Sequence, residues 1–234
     1  MKWLSKINLI YGIAIMFVMV VLTVFVSWIG SVYGWGLNNI LSADGIRWAV
    51  TNFIPNIPKS PIGLILLLMI AVSVAVESGL FHGFGKKSSL KQRRAVSIAL
   101  AVALILLIVI LLLLLPSNAV LLSPFGTISD SSFTRGFWMI LCLAVIVVCN
   151  VYGYASGRFY NLKDCIDAHA SLISFAAPYF VYLIVASQFM ACIDYADILP
   201  TNNIMYVWIG RIIYFVPLVI LIISWGCKDM KRGV

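Results

Sequence analysis

Cys165 and His169 stand four residues apart in NLKDCIDAHA, a spacing that puts a thiol and an imidazole on one face of a helix. Two such groups could begin a metal site, but protein metal sites close with three or four convergent ligands. Asp164 and Asp167 beside them make the segment read as a solvated face, so no metal is expected. A second candidate is Glu77, in VAVESGLFHGF at the end of a long apolar run. An ionised group inside a bilayer costs several kcal/mol unless paired or hydrated, and is a functional candidate by default. The plainer reading makes Glu77 an interfacial carboxylate near Lys86 and Lys87, or a buried tether between helices. Asp194 and Asp197 close one apolar stretch and Arg211 enters the next, which suggests an ion pair of Asp197 with Arg211; the alternative is an arginine that reaches the headgroups. Gln188 and Asn150 complete the polar set inside apolar runs, Gln188 as a donor between helices. His82 reads as a polar anchor at the interface. No G-x-S-x-G, H-E-x-x-H or P-loop pattern occurs, so neither an enzyme nor a cofactor is expected.

The elements that hold these groups must be membrane helices. Hydrophobic residues make up 63% of the 234 and charged residues 10%, against about a quarter charged in soluble domains. ALAVALILLIVILLLLL is continuous where a barrel strand would alternate over ~10 residues. Runs of the ~20 residues needed to cross ~30 Å of hydrocarbon recur. They predict six spans in a single polytopic domain over residues 1–234: 7–29, 62–84, 95–115, 136–155, 171–193 and 204–226. The first is too long for the 7–15-residue apolar core of a cleaved signal and reads as a retained anchor.

The net charge of +8 is a topology signal and does not point to nucleic acid. Twelve of sixteen Lys and Arg fall at the two ends of the chain and in the second and fourth loops, including Lys86, Lys87, Lys91, Arg93 and Arg94. Arg47, Lys59 and Arg135 lie on the other side, with Arg211 just inside the last span. Positive residues mark the cytoplasmic face, so both termini are expected inside. Anionic lipid could contact the second loop. The five cysteines form no C-x-x-C pair and no disulfide is expected.

Between the first two spans, LSADGIRWAVTNFI has apolar residues at three- and four-residue spacing after Ser42, a helix-start residue. This predicts a short amphipathic helix on the outer interface, with Trp48 at headgroup depth and Pro55, Pro58 and Pro61 stopping it. The fourth loop suits a further short interfacial helix from Leu162. The fold class is an all-α integral membrane protein with about six transmembrane helices and a short external interfacial helix.

These landmarks resemble a known family. LSADGIRWAVTNFI followed by SPIGLILLLMIAVSVAVESGL resembles the N-terminal signature of the p-aminobenzoyl-glutamate transporter (AbgT) family. PSNAVLLSPFGTISDSSFTRGF, CNVYGYASGRFYNLKD and APYFVYLIVASQFMACIDYADI are similar to its external loop, its Tyr-Gly turn and its Ala-Pro-Tyr helix. The likeness covers most of 41–90 and 115–198. Members of that family are about twice this length, and the regions corresponding to their two hairpins are shortened here. The resemblance implies a multi-pass protein of a bacterial inner membrane. Because midplane sites use broken helices, and none is recognisable in the sequence, the expected role is a transport-incompetent scaffold that dimerises or holds another membrane protein. The alternative is a secondary transporter of p-aminobenzoyl-glutamate or sulfonamide-like anions.

Overall fold

The structure, a computed structural model, describes residues 2–84, 89–115, 131–200 and 203–229. Their regular structure is helical, and no strand occurs among them. Two compact units emerge, one from residues 1–63 with 175–234 and one from 64–174.

The first unit is built on α1 (Lys2–Val32), α8 (Ala177–Tyr195) and α9 (Ile204–Asp229), with α2 (Ala43–Asn56) lying outside the first span. Near their starts, Gly12 of α1 faces the Tyr182 ring of α8. Beyond their ends, the Asn38 amide donates to the Ala196 carbonyl at 3.2 Å. The two helices therefore run parallel. Helix α9 returns antiparallel, so the starts of α1 and α8 and the end of α9 share one end of this unit. Helix α8 stops in a left-handed turn: Asp197 has φ 57°, Asp197 N–H bonds Asp194 C=O, and Ile198 N–H bonds Ile193 C=O. This is the Schellman arrangement, with an aspartate in the place glycine usually takes.

Ser42 caps α2 as its type and position predict, its hydroxyl accepting from Gly45 N–H at 3.1 Å. Ile46, Val50 and Ile54 remain 54%, 74% and 74% exposed, an unpaired apolar face suited to the bilayer boundary. Trp48 does not stand free: it stacks on Tyr195 with centroids 4.2 Å apart. Pro55 does not stop the helix either, which continues through it to Asn56.

In the second unit α5 (Leu90–Leu112) and α6 (Ser132–Ser156) pack antiparallel, Ala95 and Ala99 giving the buried Tyr152 ring close approach. Small residues at this spacing are what allow membrane helices to meet closely. Most of α3 (Ile62–Glu77) packs here through Val74 and Ala75 on Cys149 of α6. The unit is completed by the short α4 (Leu80–Gly83) and nearly all of α7 (Leu162–Phe175).

Among the described residues, five helices are long and apolar enough to cross a membrane: residues 9–32, 90–112, 132–156, 177–195 and 204–227. Two expected spans are not continuous. The span expected at 62–84 is a 16-residue helix, about 24 Å at 1.5 Å per residue, that ends at Glu77. Gly79, with φ +72°, forces the turn before α4, and the Arg158 guanidinium lies where a β-carbon would stand. The span expected at 171–193 is divided at Ala176, between α7 and α8, with Pro178 opening the second helix. Proline in the first turn gives up an N–H that has no helical partner anyway.

Candidate functional site

A polar concavity is built around the end of α3. Its floor is a lacing between α3 and α7. The Ser73 hydroxyl donates to Ala168 C=O at 2.6 Å and accepts from Leu172 N–H at 3.1 Å, so it straddles one rung of the α7 ladder. One helical turn on, Ser171 Oγ donates to Glu77 Oε1 at 2.8 Å. Glu77 is thus half-buried and hydrogen-bonded at a helix terminus. The expected partners Lys86 and Lys87 lie outside the described residues, as does the His82 side chain.

Beside this lacing opens a cavity of about 360 Å³ lined by Glu77, Arg158, Phe159, Asp164, Asp167, Ala168 and Ser171. The loop from α6 to α7 supplies Arg158 and Phe159. Helix α6 ends on left-handed Gly157, where Arg158 N–H reaches Gly153 C=O at 2.9 Å. The missing side chain of Gly153 makes room for the Phe159 ring, which would stand 2.3 Å from a β-carbon there. Asp164 fastens the loop by accepting from the amides of Tyr160 and Asn161, at 3.0 and 3.1 Å. The rim carries three carboxylates against one guanidinium, and an ion pair elsewhere joins Arg47 to Asp44. Such a cavity has the size and mixed polarity of a small-ligand site, with room for a hydrated ion or a compact charged solute.

A second polar group joins α6 and α7. Asn150 Nδ2 lies 3.3 Å from His169 Nε2, Cys165 Sγ donates to Asn150 Oδ1 at 3.4 Å, and His169 Nδ1 lies 2.6 Å from Cys165 C=O. The i, i+4 pair does share a face, but its third member is an amide, and no set of three metal-ligating His, Cys, Asp or Glu occurs among the described residues.

The remaining sequence candidates belong to the first unit and take their own partners. Gln188 Nε2 donates to Phe53 C=O at 2.8 Å, one of the carbonyls left over at the end of α2, and its oxygen faces Asn56 Nδ2 at 3.5 Å. Asp194 and Asp197 are exposed. The ion pair expected between Asp197 and Arg211 is not made. Asp197 is held in the left-handed turn that ends α8, while Arg211 lies over Trp208, three residues earlier on α9, at 5.4 Å from the ring centroid.

Ser73, Arg158 and Ser171 were not among the sequence candidates. A signal existed for the first: Ser73 and Glu77 are spaced i, i+4 in an otherwise apolar segment, so one face of α3 is polar. Nothing in the sequence brings Arg158 to Gly79.

No curated protein sequence matches the chain. The solved structure of the YdaH transporter of Alcanivorax borkumensis is similar with a TM-score of 0.67, covering 80% of this chain and 71% of that one at 16% identity, which establishes a likeness of fold. Residues 84–221 match the sequence profile of the AbgT transporter family; Arg158, Asp164, Asp167 and Ser171 lie within the match, and Glu77 lies before it. More than half of the sequence is covered, and the chain belongs to the AbgT transporter family.

Proposed function

We propose that this protein moves small charged solutes across the membrane as a secondary transporter, with the 64–174 unit supplying charged contacts and α1, α8 and α9 acting as framework. The observation that supports this is the interruption of α3 at Ser78–Gly79 beside a charged cavity. Interrupted helices are how transporters free backbone and side-chain polar groups for a solute or ion, and the expectation of unbroken spans had removed that possibility. The scaffold reading keeps one observation in its favour. In the first unit the polar side chains Tyr179, Tyr182 and Gln188 are already bonded to backbone carbonyls. A bacterial inner membrane, cytoplasmic termini and anionic lipid around Lys91, Arg93 and Arg94 complete the proposal. The shared end of α1, α8 and α9 supports the placing of both termini on one side. The protein, reconstituted alone in liposomes, is expected to take up labelled p-aminobenzoyl-glutamate saturably under a proton or sodium gradient. A stable dimer in detergent that shows no gradient-dependent uptake would favour the scaffold.

A further inference from the structure

The cavity beside α3 and α7 is lined by groups of both signs and by apolar surface, each held by its own element. Asp164, Asp167, Ala168 and Ser171 follow one another at i, i+3, i+4 and i+7, so one face of α7 forms a wall. The carboxylates differ in what already occupies them. Asp164 Oδ2 accepts from the amides of Tyr160 and Asn161 and holds the loop in place. Asp167 is exposed, and Glu77 of α3 uses Oε1 to accept from Ser171. An ionised carboxylate has about four acceptor sites, so Glu77 and Asp167 keep capacity for a donor from the cavity.

Arg158 supplies the opposite charge. The left-handed turn at Gly157 sets its backbone, and its side chain lies along Gly79. Nη1, Cζ and Cδ stand 2.8, 3.3 and 3.5 Å from where a β-carbon would be. The guanidinium is thereby placed at the end of α3, where the helix dipole favours a cation, without help from a ligand. The rest of the lining is apolar: Phe159, seated on Gly153 and edge-on to Tyr154, and Ala168, both buried. At about 360 Å³ the cavity is at the small end of the roughly 300–1,000 Å³ range of ligand pockets, which suits a solute of amino-acid size.

Such a lining matches a solute with a carboxylate for the guanidinium, cationic groups for the carboxylates and a short apolar stem. We propose that the cavity binds a free basic amino acid: arginine, lysine or ornithine. Its carboxylate pairs with Arg158, its cationic groups with Asp167 and Glu77, and its methylene stem lies against Phe159. A guanidinium takes a carboxylate in a two-pronged pair, which a plain diamine cannot offer. A solute with two carboxylates, such as p-aminobenzoyl-glutamate, would add to the negative excess and is not expected to occupy this cavity, whichever route its uptake takes. The inference rests on the reading of this cavity as a solute site, and its test is binding, so that it is separable from uptake.

Labelled L-arginine is the probe, with the full-length protein in mild detergent and binding followed by equilibrium dialysis. Saturable binding is expected with a Kd below about 1 mM. Asp167→Asn should weaken it about ten-fold, as the loss of one charged hydrogen bond implies. Agmatine, which is arginine without its carboxylate, should bind the wild type about ten-fold more weakly for the same reason. Arg158→Gln should lower the affinity for arginine to that for agmatine and leave agmatine unaffected. Should Arg158→Gln fail to fold, Asp167→Asn and the comparison of arginine with agmatine on the wild type carry the test. Absence of saturable binding, equal affinity for arginine and agmatine, or displacement of arginine by p-aminobenzoyl-glutamate would overturn the proposal. Arginine binding without gradient-driven uptake would uphold it and count against the transporter. Uptake of p-aminobenzoyl-glutamate without arginine binding would overturn it and leave the transporter standing.

Discussion

The Tyr182 hydroxyl donates to the carbonyl of Ile213 at 3.0 Å, four residues before Pro217. Proline has no N–H to return to that carbonyl, so a side chain on α8 closes the gap that the ring opens in α9. Tyr179 donates to the next carbonyl, Tyr214, whose ordinary helical partner is the N–H of Leu218. An unsatisfied carbonyl in hydrocarbon is costly, and helix–helix hydrogen bonds in membranes measure roughly 0.6–2 kcal/mol. Tyr182→Phe is therefore expected to destabilise the protein by about 1 kcal/mol. In a Pro217→Ala background, which restores the N–H, the same change should cost about half as much or less. Equal losses in the two backgrounds, measured by unfolding in detergent or bicelles, would separate the tyrosine from the proline.

Gly79 holds φ +72°, and Arg158 Nη1 would stand 2.8 Å from a β-carbon there. The left-handed conformation alone costs roughly 1–2 kcal/mol for other residues. Gly79→Ala should lower the thermal midpoint. Adding Arg158→Ala should recover the steric part and leave the conformational part. Full recovery would show that only the contact matters.

Glu77→Gln keeps an oxygen for the Ser171 hydroxyl and removes the charge. Stability should change by less than about 0.5 kcal/mol, while Ser171→Ala, which removes the donor, should cost about 1 kcal/mol. If uptake is gradient-driven, Glu77→Gln is expected to weaken the gradient dependence with the fold intact. Uptake indistinguishable from wild type would exclude this carboxylate from coupling.

Membrane sidedness can be read by cysteine labelling in a background without native cysteines. Ser131 is buried as the cap of α6, so the neighbouring exposed Ser132 is the better outer position. Ser132→Cys should react with an impermeant maleimide added to intact cells, and Tyr160→Cys, in the 80%-exposed loop position, should not. The reverse pattern would turn the protein over in the membrane.

Asp197→Lys and Arg211→Glu should act additively, within the roughly 0.3–0.5 kcal/mol expected of uncoupled sites. Their separate roles, in a left-handed turn and over the Trp208 ring, give them no shared partner. Rescue in the double variant would restore the ion pair expected from their placement in the sequence.

Apolar run length located the long spans, because covering hydrocarbon leaves a direct trace in composition. The cap at Ser42 was equally legible, being local. What composition hides is whether a run is one helix. LLLMIAVSVAVESGLF is uniformly compatible with a span, yet a single positive φ at Gly79 divides it, and only the surrounding packing decides that a glycine takes this conformation. The cavity was hidden for a related reason. Arg158, Asp164 and Ser171 converge on Glu77 through the turn that follows Gly157, whereas a one-dimensional reading puts Arg158 and Asp164 in a loop and Ser171 at the start of a span. Cys165 and His169 were visible as a pair by helical spacing, but Asn150 reaches them from another helix.

The Ser73 hydroxyl touches both ends of one backbone rung, the Ala168 oxygen and the Leu172 nitrogen. Those two groups are each other's ordinary helical partners. Were α3 to withdraw from α7, this rung could close on itself, and the groups left to find new partners would be Ser73 and the Ser171–Glu77 pair. Most polar latches between membrane helices leave an orphan on each side when they open. This one would be inexpensive to release at that rung, because the helix it grips is complete without it.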